Sequence, residues 1–141
     1  TTSTTQISPL KIEKFEDIEA WKEARDIVNC VYRVCRVIEL EKDYSLSDQI
    51  KRAAISIMAN IAEGFSRRGN KEFIQFLFIS KASAAELQSH LYVALDQHYI
   101  NDDIFNELYE KAEKIQRMIS NLIKYLTSTL KLQKSQQTQQ T

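Results

Sequence analysis

The sequence predicts an all-α protein, an antiparallel up-down-up-down four-helix bundle, and three observations carry that prediction. The 141 residues include only two glycines and one proline, too few turn residues for the many connections of a sheet. Apolar residues recur at steps of three and four through four long segments, the period of a helix rather than of a strand. The connections between those segments are short, about three to eight residues, so consecutive helices should lie side by side and run in opposite directions.

Residues 1–13 are rich in Thr and Ser and are expected to be a flexible tail, with Pro9 ending any structure begun before it. Asp17 is placed to cap a first helix that reaches about Leu40. Along it Ile18, Trp21, Ala24, Val28, Val31, Cys35 and Ile38 keep the three-and-four spacing of a buried seam, which Ile27 and Val34 widen. Phe15, just ahead of the helix, can fold back as a hydrophobic staple. Residues 41–47 make the first connection, and Ser45 or Ser47 can cap the second helix, which runs to about Ser66. On that helix Ile50, Ala53, Ala54, Ile57, Met58, Ile61, Ala62 and Phe65 cover more than half of the circumference. Gly64 leaves room for a second backbone to approach, and Gly69 supplies the positive φ that stops a helix.

A third helix should start at Asn70 or Lys71 and run to about Gln97, burying Phe73, Phe76, Leu77, Ser80, Ala84, Leu87 and Leu91. After a short turn at residues 98–100, Asn101 caps the fourth helix. Asp102 and Asp103 occupy its first turn, where the helix dipole favours anions. It should bury Ile104, Leu108, Ala112, Ile115, Ile119, Leu122 and Leu126. The bundle domain thus spans 14–131, and the polar segment 132–141 has nothing to bury and is expected to be disordered.

Composition excludes several classes of function. Nineteen basic residues balance nineteen acidic ones, which rules out a globally cationic nucleic-acid binder but not a local basic patch. No apolar run approaches the ~20 residues that cross a bilayer, and the N-terminal residues lack the basic and apolar regions of a signal peptide, so a cytoplasmic protein is expected. Cys30 and Cys35 lie about 140° apart on a helix, too far round to bridge or to clip a metal together, and read as small buried hydrophobes. Glu86 and His90 stand at i and i+4 on the third helix, but the chain lacks the Glu-x-x-His spacing of carboxylate-bridged metal bundles. No serine has a histidine near it in sequence, and no glycine-rich phosphate loop is present. An enzyme is not expected, nor is any cofactor or metal.

What remains is polar chemistry on the second and third helices. Between residues 51 and 81 six cations, Lys51, Arg52, Arg67, Arg68, Lys71 and Lys81, face two acids, Glu63 and Glu72. Arg67, Arg68 and Lys71 crowd the tip of the hairpin, a candidate phosphate-binding surface. Gln49, Arg52, Ser56, Asn60, Glu63 and Arg67 form one stripe between apolar flanks. Most of that stripe is expected to be buried as an interhelical hydrogen-bond network, with Arg52 or Arg67 meeting Glu63; Glu86 on the third helix joins these polar residues, paired with a partly solvated surface His90. Val28, Val31, Ile27 and Val34 on the first helix, and Phe78 and Ile79 on the third, exceed what one four-helix core can cover, which predicts self-association.

The combination Leu46-Ser47, Gln49-Ile50, Arg52-Ala53-Ala54, Ser56-Ile57, Asn60-Ile61-Ala62-Glu63-Gly64, Arg67, Glu72-Phe73, Phe76-Leu77, Ser83 and Glu86-Leu87 resembles the proteins encoded in intervening sequences of bacterial 23S ribosomal RNA genes. These are related to the accessory variability proteins of diversity-generating retroelements. Upstream, Phe15-Glu16-Asp17-Ile18 and Trp21 extend the resemblance, which covers roughly residues 15–127. Met58 stands where a proline is usual and Ala82 where a glycine is common. The resemblance implies a four-helix bundle, a homopentameric ring around a central pore, and non-enzymatic binding of structured RNA beside ribosomal RNA or a reverse transcriptase. The alternative is a protein-protein adaptor that takes no nucleic acid.

Overall fold

The computed structural model describes residues 12–140. The tail expected over residues 1–13 lies almost entirely outside the described residues. A 3-10 turn at Phe15–Asp17 leads into α1 (Glu19–Val34), α2 (Ile38–Lys42), α3 (Tyr44–Ser66), α4 (Asn70–Asp96) and α5 (Asp102–Gln140). The described residues form helices and turns only, as the glycine-poor, helix-periodic sequence predicts. Four of the helices are long and share one core: α1 packs on α3 and α5, and α4 packs on the same two. Ile27, Val31, Ile57, Ile61, Leu77, Leu87, Leu91, Leu108, Ile115 and Ile119 are buried at its centre. Each contributes about 1.5–3 kcal/mol of transfer free energy relative to leaving it in water.

The first helix is shorter than the sequence predicts. It stops at Val34; Arg36 and Val37 donate to the carbonyls of Arg33 and Val34, and extended Val37 starts the separate helix α2. The reason is geometric. On an unbroken helix Leu40 would point about 140° away from Cys35, whereas the break turns both into the core, with Leu40 fully buried. Asp17 does not cap α1. Its carboxylate accepts the backbone N–H groups of Glu13 and Lys14, each at 3.2 Å, and so holds the preceding 3-10 turn. Phe15 folds back as expected, its ring edge-on to Trp21 with centroids 5.1 Å apart.

Helix α3 begins three residues before Ser47, and its cap is neither serine. Asp43 Oδ1 accepts the Leu46 N–H at 3.1 Å, while Asp43 Oδ2 accepts the Tyr99 hydroxyl, also at 3.1 Å. Asp43 therefore ends α2 through its backbone N–H on the Leu40 carbonyl, while its carboxylate starts α3 and reaches the turn before α5. Ser47 is buried instead. At the other end of α3 the left-handed residue is Arg68, with φ 64°, and Gly69 is extended at φ −129°. Gly64 does allow a close approach: a Cβ placed there would lie 2.6 Å from Phe76 Cβ on α4. Asn101 Oδ1 caps α5 through the Ile104 N–H at 2.9 Å. Where the sequence predicts disorder beyond 131, α5 runs on to Gln140 with residues 131–138 exposed, so this extension adds nothing to the core.

Candidate nucleic-acid interface

The hairpin between α3 and α4 is tight because Arg67 and Arg68 close the last turn of α3 with N–H bonds to Gly64 and Phe65 carbonyls, and α4 resumes at Asn70. That geometry puts three cations within five residues at the tip. Arg67 is anchored: its guanidinium donates to Glu63 Oε2 at 2.9 Å and lies over the Phe76 ring, 5.1 Å from the centroid. Arg68 and Lys71 are exposed, and among the described residues neither has a carboxylate within ion-pair distance. They are the free positive charges of the tip.

The other three cations lie elsewhere. Lys81 is half-buried ten residues along α4, about 15 Å from Lys71 at 1.5 Å per residue. Lys51 and Arg52 lie toward the opposite end of α3, about 24 Å from Arg67 by the same rise. There Lys51 Nζ sits 5.0 Å above the Tyr32 ring, and Arg52 Nε donates to Asp48 at 2.7 Å. The hydrogen bond to Asp48, and then its charge, raise the Arg52 pKa, so this guanidinium stays charged and already has an anionic partner at the surface.

The polar stripe is only partly buried, which corrects the expectation drawn from its apolar flanks. Arg52 is largely exposed and never meets Glu63; of the two expected partners it is Arg67 that pairs with Glu63, and both are half-exposed. The sheltered part is the middle, where Ser56 and Asn60 are half-buried against the buried Ser83. Asn60 Nδ2 donates to Ser56 Oγ at 2.9 Å and to the Ser56 carbonyl at 2.8 Å; Ser56 Oγ and Ser83 Oγ are 2.8 Å apart; and Ser83 donates to the Ile79 carbonyl at 3.2 Å. If Ser56 donates to Ser83, every hydroxyl in this chain is satisfied in one direction from α3 to α4. Beside it the fully buried Ser80 donates to the Ile57 carbonyl at 2.7 Å. Glu86 pairs with His90 at 3.2 Å, as the i, i+4 spacing predicts.

A second polar network, between α4 and α5, is absent from the sequence reading. Buried Gln88 donates to Glu113 Oε1 at 2.7 Å and to the Tyr109 carbonyl at 3.2 Å, and its own oxygen accepts Gln116 Nε2 at 2.8 Å. Glutamines at core-flanking positions of two facing helices are the only sequence signal for it.

Nothing in the described residues groups three or more His, Cys, Asp or Glu side chains as a metal would need. Cys30 and Cys35 are free and buried, and desolvation pushes both thiols up from their ordinary pKa. No helix among the described residues is long and apolar enough to cross a membrane. The apolar surplus also differs from expectation. Ile27 and Val31 are fully buried, and Val28 and Val34 pack half-buried on the core. On α4, however, Phe78 is 54% exposed and Ile79 49%, with Val93 exposed on the same helix.

These features define a small all-helical protein with a basic hairpin tip and an uncovered apolar surface on α4. The family model for the 23S rRNA-intervening sequence protein matches residues 16–121, most of the chain, and the protein belongs to that family. Among solved structures it is similar to a protein of unknown function from the S23 ribosomal protein family of Bacteroides thetaiotaomicron VPI-5482. The TM-score is 0.68 and the identity 24%, over 74% of this chain and 98% of that one, a likeness of fold. A comparison with curated proteins finds no match.

Proposed function

We propose that the chain is a non-enzymatic, cytoplasmic, homo-oligomeric protein that holds structured RNA through its phosphates, with Arg67, Arg68 and Lys71 as the principal contacts. The observation that carries this reading is the tip itself: two unpaired cations beside a third that is braced on Glu63 and Phe76. The family name, which ties members to sequences that interrupt 23S rRNA, supports an RNA context for this reading. In the retroelement branch of the resemblance the partner would be a reverse transcriptase and its template RNA. Lys51, Arg52 and Lys81 then act as outlying contacts that a long RNA reaches after docking at the tip.

The architecture behind this reading is an antiparallel up-down-up-down four-helix bundle built from α1, α3, α4 and α5. Three sets of contacts support it. From α3 to α4 they step from Ser56 with Ser83 to Gly64 with Phe73; from α4 to α5, from Gln88 with Glu113 to Tyr92 with Phe105; and from α1 to α5, from Glu23 with Lys114 to Asp26 with Lys111. In each set one number rises as the other falls.

Three cations on one subunit hold RNA weakly, because each neutralised phosphate adds only a salt-sensitive increment. A ring of five would present roughly fifteen, with multivalent gain. The exposed Phe78 and Ile79 support such self-association. Light scattering should give the mass of a homopentamer; a monomer at micromolar concentration rejects the ring.

Replacing Arg67, Arg68 and Lys71 together by Glu is expected to lower RNA retention at least tenfold in low-salt filter binding. The melt should move by no more than about 5 °C, since the lost surface pair with Glu63, the lost contact over Phe76 and the new repulsion of Glu63 together come to about 1.5 kcal/mol. Equal retention by both proteins removes the tip from the site. The same apolar surface on α4 favours a second reading, an adaptor that grips a protein partner. Salt separates the two: phosphate binding falls linearly on a log-log plot and an apolar contact hardly responds.

A further inference from the structure

We propose that the outward face of α5 is a second surface for the phosphate backbone of structured RNA, separate from the hairpin tip. From Arg117 that face runs through Asn121, Lys124, Ser128, Lys131 and Ser135, in alternate steps of four and three. Such steps keep the six residues in one row along about 27 Å of helix, at 1.5 Å per residue. All six are exposed, and among the described residues none of their side chains has a hydrogen bond or an ion pair.

The charge is as one-sided as the row. Residues 114–141 hold five cations, Lys114, Arg117, Lys124, Lys131 and Lys134, and no acid, whereas residues 1–113 hold 14 cations against 19 acids. Of the five, Lys114 is paired, with Glu23 at 3.4 Å. The acids at the borders are few. Glu113, one turn before Arg117, accepts Gln88 Nε2 at 2.7 Å; on the α1 flank Asp17 accepts two backbone N–H groups and Glu19 pairs with Lys22 at 3.0 Å. The α4 flank adds a cation. Phe73 lies across a hollow from Leu122 and Leu126, and Gln88 bonds Glu113 and Gln116, so half-buried Lys81, between them on α4, comes level with the segment between Arg117 and Lys124.

The row has no apolar member, whereas a coiled-coil seam and a membrane-lying helix both need an apolar stripe. Cations alternating with Asn and Ser are the side chains that meet phosphate oxygens. The cations stand about 10.5 Å apart on a rigid helix, and a stiff folded backbone meets such a rank without first being ordered, as a loose single strand must be. The inference rests on the functional reading for its class of ligand and adds a second surface to it.

The test follows retention of an RNA duplex of about 20 base pairs by the full chain as salt is raised. Replacing Arg117, Lys124 and Lys131 together by Gln, which keeps the helix propensity, should weaken low-salt binding at least tenfold. It should also flatten the log-log salt slope by about 3, roughly 1 for each phosphate contact. Lys114→Gln, on the same helix but already paired with Glu23, should leave the slope unchanged. The same triple change should flatten the slope again in the variant with Arg67, Arg68 and Lys71 replaced. An unchanged slope in the Gln triple, with retention lost in the tip variant, overturns this face and leaves the tip standing. A flattened slope, with full retention by the tip variant, supports this face and removes the tip. No retention by the wild type overturns both. Equal losses from Lys114→Gln and Lys124→Gln, or displacement of the duplex by phosphatidylserine vesicles, would each overturn the face as an RNA surface.

Discussion

Gly64→Val is expected to destabilise the protein by about 3 kcal/mol, at the upper end of the cost of overpacking, and to lower the melting temperature by roughly 10 °C. The first added carbon already falls 2.6 Å from Phe76 Cβ, an atom that α4's backbone holds in place, and 3.1 Å from Phe73 Cδ1. The strain cannot be shed by rotating a side chain; the two helices must part. Parting them stretches the Ser80 bond to the Ile57 carbonyl and the Ser56–Ser83 pair farther along the same seam. Gly64→Ala should be milder, because it adds one carbon instead of three and alanine regains part of the roughly 1 kcal/mol of helix propensity that glycine loses, although Gly64 lies in the last turn of α3. An alanine variant that melts well above the wild type would show slack between α3 and α4, and the close-approach argument would fail.

Asp43→Ala should cost about 2 kcal/mol, the high end for an N-cap, because the carboxylate serves two elements at once. It caps α3 through the Leu46 N–H and accepts the Tyr99 hydroxyl 56 residues away. Tyr99→Phe should cost less than Asp43→Ala, and the double variant should lose less than the two single losses together, since they share one contact. The hydrogen bond to Asp43, with smaller help from desolvation, raises the Tyr99 pKa. The raised value means that the bond's contribution is complete below the ordinary tyrosine pKa of about 10 and disappears as the pH rises through the folded value. The stability gap between wild type and Tyr99→Phe should therefore close at alkaline pH. A gap that stays constant past that range would mean the hydroxyl contributes nothing through Asp43.

Where the sequence was legible, the signal was periodic. The C-terminal end of α3, the extent of α4, the turn at 98–100 and the Asn101 cap follow from apolar spacing and capping chemistry that neighbouring residues carry. Where it misled, a distant partner decided between local options of similar merit. Ser45 and Ser47 are good cap residues, but Asp43 has the second reward of Tyr99. The helix through Cys35 has no breaker in its sequence; it stops because Leu40 gains more by entering the core than three continued helical bonds return. Gly69 is the better left-handed residue, yet Arg68 takes that conformation. Among the polar-stripe residues, periodicity identifies the side of α3 but not its depth, so Ser56 and Asn60 turn out to be sheltered by α4 while Arg52 and Glu63 reach water. The six cations were legible as residues, but a linear count could not show that α3 carries Lys51 and Arg52 away from the tip.

The glutamine at 88 works as a detent. Its amide is fully engaged by the Glu113 carboxylate, the Tyr109 carbonyl and the Gln116 side chain. Sliding α5 past α4 by one turn, about 5.4 Å, would leave the buried Gln88 amide without these partners, while the exposed Glu113 carboxylate would turn to water. The two helices therefore have one click position rather than a continuous track, and whatever pulls on the long exposed end of α5 must either move α4 with it or snap the lock.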